Sequence, residues 1–410
     1  MKRKISVAMA FVMLLTILSA CTKIDDGGSS ETAAKKDDGK KTAGVCIPQG
    51  SEFFLLIGDQ VQAALEAEGY SVQVTNANDD TQTMIKQIQN FTTQGLDILY
   101  VFPAGDAAAF HDVMQQATDS GILTVVSHNN TGEGTATAFV QCDEFIMGTM
   151  MAPMVSAWVD KTFPDAGKGE IKVAVFEQSL IPDMVKRSAG MKIIAEKFVR
   201  KVDLTTGKYV KTDGDAVTYT DKDGQEKDVD EPAGGLILDD SGKAQLNPFY
   251  NEKVKLIEIS NRTIGTEIEA QDALDLLVTA DNGVNQDVKA VMCYAGSAAA
   301  GASEKMLGLV SSGVIREDLS KLAVFGADLT DSNIERIKQS ADNTSLVRGV
   351  MTNGNIVQTI IDTVSALAKG EEVPSQQWED LGYLMLNDDG TDTVQTLYNN
   401  ELPDTSEFFE

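Results

Sequence analysis

At 410 residues, with 42% hydrophobic, 6% aromatic and 23% charged side chains, the chain has the make-up of a globular protein and the length of two ordinary domains. Its formal charge of −28, from 34 Lys and Arg against 62 Asp and Glu, excludes a nucleic-acid partner, whose phosphates need basic patches. Four cysteines with no Cys-x-x-Cys pair, and only two histidines, make a zinc site improbable, and no cofactor motif is present.

The first twenty residues read as an export signal. Lys2-Arg3-Lys4 is a positive start, Ile5 to Leu18 is apolar, and small residues precede Cys21. The ending Leu18-Ser19-Ala20-Cys21 resembles a bacterial lipobox, which implies that Cys21 is lipidated and becomes the mature first residue. Residues 21–42 are almost free of apolar side chains and balance Lys against Asp and Glu, the composition of a flexible tether. The expected location is the extracytoplasmic face of the cell membrane, held by lipid.

From residue 43 short β-branched runs alternate with helical stretches. "AGVCI" predicts a strand, Glu52–Gly69 a helix, "YSVQVTN" a strand, and Met84, Ile85, Ile88 and Phe91 form one helical stripe. "LDILYVF", a helix over Ala107–Ser120, "ILTVVS" and "ATAFVQC" complete a first series. The alternation then restarts. "IKVAVFE" leads into a helix over Pro182–Val199, "KVKLIEIS" into Glu267–Thr279, and "VKAVMCYAG" into Ala298–Ser311. "LAVFGAD" and "SLVRGVM" precede helices over Asp331–Ser340 and Ile356–Lys369. This pattern predicts an α/β protein of two Rossmann-like, doubly wound lobes. The related stretches "YVFPAGDAAAF" (100–110) and "MCYAGSAAAG" (292–301) suggest equivalent units in the two lobes.

Residues 200–250 break the rhythm. Polar and β-branched residues alternate around Thr206-Gly207, Asp213-Gly214 and Asp223-Gly224, which predicts an inserted β-meander with tight turns. Asp221, Asp223 and Gly224 faintly resemble a calcium loop, but Tyr219 stands where the first carboxylate belongs and no Glu closes the loop, so a hairpin turn is expected. Cys46, Cys142 and Cys293 each lie in an apolar run, and their odd number predicts buried free thiols.

In open α/β sheets ligands bind outside the carboxyl ends of the strands. In the first lobe those ends carry Ser51, Phe53, Phe54, Asp106, His128 and Asn129; in the second they carry Gln178, Arg187, Ser260-Asn261-Arg262, Asp328, Thr352, Asn353 and Asn355. Amides, hydroxyls, single charges and two rings suit a polyhydroxylated or amide-bearing small molecule. No Gly-x-Ser-x-Gly, phosphate-loop or His-Glu-x-x-His motif is present, so no enzyme activity is expected. Each residue also has a structural alternative: Phe53 in the core, Arg187 exposed and paired with Asp183, Asp328 capping the helix near Asp331, Asn353 or Asn355 capping the next.

The order of "GSEFF", "QGLDILYVFPAGDAAA", "SGILTVVSHNN", "VQCDEFIMG", "MVKRSAGMK", "VKAVMCYAGSAAAG", "LAVFGADLT" and "SLVRGVMTNGNIVQ" resembles the type I periplasmic binding proteins of the ribose- and galactose-binding group. The resemblance spans about residues 43–400 apart from the insertion, and implies a solute-binding lipoprotein of an ABC importer. It implies one lobe from 43–142 with 353–379 and another from 143–352 with 380–402, with hinges near 142–145, 351–354 and 378–382. Phe54, with Phe53 beside it, would stack on a sugar ring, and Arg187 and Asp328 would hold hydroxyls. Thr352 falls where a glutamine is usual, and Asp143 would serve the hinge. His128-Asn129 and Ala295-Gly296 replace the family's usual hydroxyl-binding pairs, which leaves modified sugars, polyols and nucleosides open. The expected partners are the ligand, a permease and the membrane, with the protein a monomer. A ligand-sensing receptor for a membrane signalling kinase is the alternative.

Overall fold

The computed structural model describes residues 41–203, 205–259, 263–379, 381–386 and 394–398, with 281–282 and 394–398 described by backbone only. Cys21, its tether to residue 40, and Ser260, Asn261 and Arg262 lie outside the described residues.

The first lobe is laid down by β1 (Thr42–Ile47), α1 (Glu52–Ala67), β2 (Ser71–Asn76), α2 (Thr81–Gln94), β3 (Ile98–Val101), α3 (His111–Asp119), β4 (Leu123–His128) and β5 (Ala138–Gln141). The strands pair in the order β2-β1-β3-β4-β5, all parallel. β1, β3, β4 and β5 are almost wholly buried, because crossover helices cover both faces of a parallel sheet and leave no wet side. Local chemistry sets the helix ends: Asp80 accepts the Thr83 N–H at the start of α2, and Gly95, at φ 66°, ends it.

The second lobe begins with α4 (Glu144–Thr149), α5 (Met151–Thr162), β6 (Ile171–Phe176) and α6 (Pro182–Met191). The insertion follows as two small antiparallel hairpins, β7 (Val202–Asp203) with β8 (Lys208–Tyr209) and β9 (Thr218–Thr220) with β10 (Glu226–Asp228). Then come β11 (Val254–Glu258), α7 (Glu267–Thr279), β12 (Ala290–Cys293), α8 (Gly296–Ser311), β13 (Ala323–Ala327), α9 (Asp331–Gln339) and β14 (Val347–Thr352). The chain closes with α10 (Ile356–Lys369), β15 (Gln376–Trp378), β16 (Gly382–Leu386) and β17 (Val394–Tyr398). The second sheet has the order β11-β6-β12-β13-β14-β16-β17, parallel through β14 and antiparallel beyond it.

Both sheets therefore repeat one winding, second strand, first, third, fourth, fifth, with a switch point beside the first strand of each. The chain leaves the first sheet after β5, and α10 returns to pack on α1, β4 and β5. β15 adds to β5, and the chain then crosses again to β16 beside β14. Three connections thus join the two sheets.

The helix expected over Pro182–Val199 stops at Met191 and tightens into a 3₁₀ turn over Lys192–Ala195. Tertiary packing overrides propensity here: Phe198 is drawn into a small core with Tyr219, Leu236 and Ala244, around which the insertion folds. The Asp221 turn is closed by its own backbone, with Oδ1 accepting the Asp223 and Gln225 N–H groups at 3.0 and 2.8 Å, while Oδ2 pairs with Lys227 at 2.5 Å. Cys46, Cys142 and Cys293 are buried free thiols.

Candidate functional site

The site begins where β1 gives way to α1. Ser51 sits at the N-cap in extended backbone, and the two following rings project about 100° apart around the helix. Phe53 is only 8% exposed and reaches the interlobe cleft. Phe54 points instead at Phe102, edge-on with centroids 4.7 Å apart. His128 completes the cluster, stacked on Phe102 at 4.3 Å and met edge-on by Phe53 at 5.6 Å.

β4 ends sharply at this histidine. His128 holds φ at 66°, and the Asn129 N–H reaches back to the Ser127 carbonyl at 2.9 Å, the hydrogen bond of a γ-turn. Such backbone is costly for a non-glycine residue, by about 1–3 kcal/mol, and persists where the surroundings hold it. Here the ring stack holds it, together with Asn353 on the second connection, whose amide nitrogen lies 3.0 Å from His128 Nε2. Among the described residues, His128 Nδ1 and Asn129 Oδ1 are buried without a hydrogen-bond partner. Burial, aided by the charge of Arg187, lowers the His128 pKa to about 3, so the ring is neutral.

The facing wall is charged. α4 and α6 cross in close contact through Gly148 and Gly190: a Cβ on Gly148 would lie 2.0 Å from the Arg187 carbonyl oxygen, and one on Gly190 would lie 2.2 Å from that of Phe145. This approach sets Arg187, buried on α6, against Glu144 on α4. Arg187 Nε donates to Glu144 Oε2 at 2.6 Å and its Nη1 to the Tyr294 carbonyl at 3.0 Å. So short a contact is that of an ionised pair. Burial pushes the Glu144 carboxyl up and Arg187 pulls it back; burial opposes the Arg187 charge, and Glu144 more than offsets that. Asp183, which could have paired with Arg187, binds Lys186 at 2.7 Å.

Asp328, at φ 72°, accepts the Gly296 N–H at 3.1 Å at the first turn of α8, where a carboxylate suits the helix dipole. Burial raises its pKa, and Arg187 and the Gly296 bond oppose the rise. Gly296 is required by this approach, since a Cβ there would lie 2.5 Å from the Ala327 carbonyl oxygen and from Asn333 Nδ2. Thr330, not Asp328, caps α9.

Between the walls lies a cavity of about 350 Å³, lined by Ser51, Glu52 and Phe53 from the first lobe and by Gly296, Ser297, Asp328, Asn333 and Arg336 among others from the second. A side-chain bridge spans its mouth: Ser332 Oγ donates to Glu52 Oε2, and Arg336 Nη1 donates to Ser332 Oγ at 3.0 Å.

The structure thus brings Ser51, Phe53 and Asp328 to the cavity; His128, Asn129, Arg187 and Asn353 are buried, with His128 packed edge-on against the cavity-lining Phe53. Thr352 is buried at the end of β14, with only a 3.5 Å contact to the Gly354 carbonyl. Asp106 is exposed and caps a 3₁₀ turn through the Ala108 N–H, and Asn355 is exposed at the N-cap position of α10. Asp143 caps α4 through the Ile146 N–H at 3.0 Å. Glu144, Phe102 and Arg336 escaped the sequence reading. For Glu144 a signal existed, a second carboxylate directly after the helix-capping Asp143 and at the head of the apolar run "FIMG".

Residues 44–231 match the family model described as periplasmic binding protein domain. The chain is 28% identical over 140 residues to the multiple sugar-binding periplasmic receptor ChvE of Rhizobium radiobacter, covering 33% of this chain and 38% of that protein. It is 26% identical over 152 residues to the multiple sugar-binding periplasmic protein SbpA of Azospirillum brasilense, covering 36% and 40%. These matches span about two fifths of the curated relatives' length. Among solved structures, an ABC transporter solute-binding protein from Bacillus halodurans C-125 with bound myo-inositol superposes with a TM-score of 0.58 at 17% identity, over 85% of this chain and 96% of that one. With two sheets of one winding, three connections and this match, the chain has the fold of the type I periplasmic binding proteins.

Proposed function

We propose that the protein captures a sugar or sugar-like small molecule in the interlobe cleft and delivers it to an ABC importer, without chemical turnover. The observation that carries this reading is the composition of the cleft: an aromatic ring from one lobe, Phe53, faces hydrogen-bonding and charged side chains, Asp328, Asn333 and Arg336, from the other. A sugar ring offers C–H faces to Phe53 and hydroxyls to the polar side chains. The solved relative with bound myo-inositol, and the curated relatives named for binding multiple sugars, support the same class. Contacts made by both lobes at once would favour the closed arrangement, the form a permease can distinguish. In this reading Cys21 carries the lipid that keeps the protein at the outer face of the cell membrane, and residues 21–42 give it reach.

The test is a thermal-shift screen against sugars, polyols and nucleosides. A bound ligand raises the melting temperature by mass action, and a ligand at about 100 times its Kd adds about 2.7 kcal/mol. A flat response across the panel defeats the reading, and recovery of an altered compound after incubation defeats its non-enzymatic half.

A further inference from the structure

Among the described residues two buried polar atoms lack partners at the turn after β4, which packs on the cavity-lining Phe53: His128 Nδ1 and Asn129 Oδ1, on residues only 5% exposed. Buried polar groups are nearly always satisfied, and neighbouring exceptions at the carboxyl edge of a sheet call for an explanation. The contact on the far side of the imidazole defines what one of them can do. The Asn353 amide nitrogen, which can only donate, faces His128 Nε2 at 3.0 Å. A neutral ring accepting at Nε2 carries its proton on Nδ1. Asn129 Oδ1, on the next residue, can only accept.

We infer that Asn353 is a positioning residue that fixes His128 as a hydrogen-bond donor, so that His128 Nδ1–H and Asn129 Oδ1 form a donor–acceptor pair selective for uncharged hydroxyls over carboxylates. This rests on the sugar-like reading above for the identity of the ligand but not for the state of the ring. A hydroxyl can accept from His128 and donate to Asn129, whereas a carboxylate has nothing to donate to Asn129 and would leave its oxygen unsatisfied. The Arg187 cation does not provide a free anion site, being already paired with Glu144. Asn353 lies on the connection that follows β14, so the same bond ties the turn after β4 in the first lobe to a segment joining the two sheets.

The state of the ring can be read without any ligand. Only two histidines exist in the chain, and His111→Gln leaves one imidazole. In that variant labelled with ¹⁵N-histidine, His128 is expected to show a protonated Nδ1 and a bare Nε2. Asn353→Asp presents only acceptor oxygens to Nε2, so it should draw a proton onto Nε2. A ring already protonated on Nε2 in the parent, or a ring unchanged by Asn353→Asp, overturns the inference. The ligand half is tested with matched pairs, galactose against galacturonate and glucose against glucuronate. A neutral sugar that shifts the melting temperature should bind at least about tenfold more tightly than its acid. Equal binding of the acid overturns the selectivity. A panel without any shift, with the tautomer as stated, defeats the sugar-like reading and leaves the Asn353 lock standing.

Discussion

The two walls of the cleft solve different problems. On the first lobe four rings, Phe53, Phe54, Phe102 and His128, edge and stack where β1, β3 and β4 end, and two polar atoms of that turn have no partner among the described residues. On the second lobe the polar groups are already matched, Arg187 by Glu144 and Asp328 by the Gly296 N–H. One wall is a platform with unused hydrogen-bonding capacity; the other is a preformed charge lattice whose members hold one another. The difference implies that damage to the second wall appears first as lost stability, and damage to the first wall as lost binding.

The largest effect should come from breaking the second wall. Glu144→Ala strands the Arg187 charge in the interior, which costs about 3–5 kcal/mol. Chemical denaturation measures this directly. The double replacement Glu144→Leu with Arg187→Met removes both charges and is expected to recover most of the stability while binding stays lost. Recovery of binding as well would mean that the pair is structural only and that the division between the walls is wrong.

The first wall gives the next effect. Phe53 lies both in the core and on the cavity, so Phe53→Ala should cost about 3 kcal/mol of stability and also weaken binding. Phe54, half-buried against Phe102, should cost less on both counts when cut to Ala. Titration calorimetry with a ligand found by thermal shift ranks the two, and a larger binding loss for Phe54→Ala would restore it as the platform.

That Phe53 and not Phe54 lines the cavity shows where sequence reading runs out. The strands were legible because a parallel sheet buried on both faces must be written in β-branched, apolar runs such as those of β4 and β13. The repeated winding was legible because each run is followed by a helical stretch. Which of two adjacent phenylalanines faces a ligand depends on the rotation of α1 against the sheet, and "GSEFF" does not encode that angle. Arg187 was visible as a residue, but its partner lies 43 positions away on another helix, brought near by Gly148 and Gly190. Asp106 looked like a cleft residue by its place after β3, yet a detour through a 3₁₀ turn leaves it outside, whereas the related stretch after β12 enters α8 at once and puts Gly296 on the cavity.

The pH dependence separates the walls again. His128 titrates near 6.5 when unfolded and about 3 when folded. Between those values the unfolded chain binds the extra proton, so acid favours unfolding, and this group's contribution to stability falls as the pH drops below 6.5. The raised carboxyls of Asp328 and Glu144 act in the opposite sense, since the folded state takes up their protons first as the pH falls. His128→Phe keeps both carboxyls and the ring stack but removes the imidazole. Its stability should therefore fall less steeply than the parent's between pH 6.5 and 4. Parallel curves would mean that the imidazole is solvated in the folded state and that the first wall is wetter than its packing indicates.

The smallest effect concerns the bridge across the mouth. Ser332 on α9 donates to Glu52 at the start of α1, while Arg336 donates to Ser332, so one hydroxyl links an acid of one wall to a base of the other. Glu52 and Ser332 are exposed or partly exposed, and water competes for both, so the net worth of the bridge is about 0.5–1.5 kcal/mol. That is too little to fold or unfold a lobe, but it is the scale on which an equilibrium between open and closed lobes is balanced, since 1.4 kcal/mol is tenfold in population. Ser332→Ala should leave denaturation of the protein nearly unchanged and raise the radius of gyration of the ligand-free form in solution scattering. Added ligand should return it to the compact value, because the ligand's own contacts with both walls replace the lost bridge. An unchanged radius without ligand would show that the walls are held together elsewhere, and that the bridge follows closure instead of favouring it.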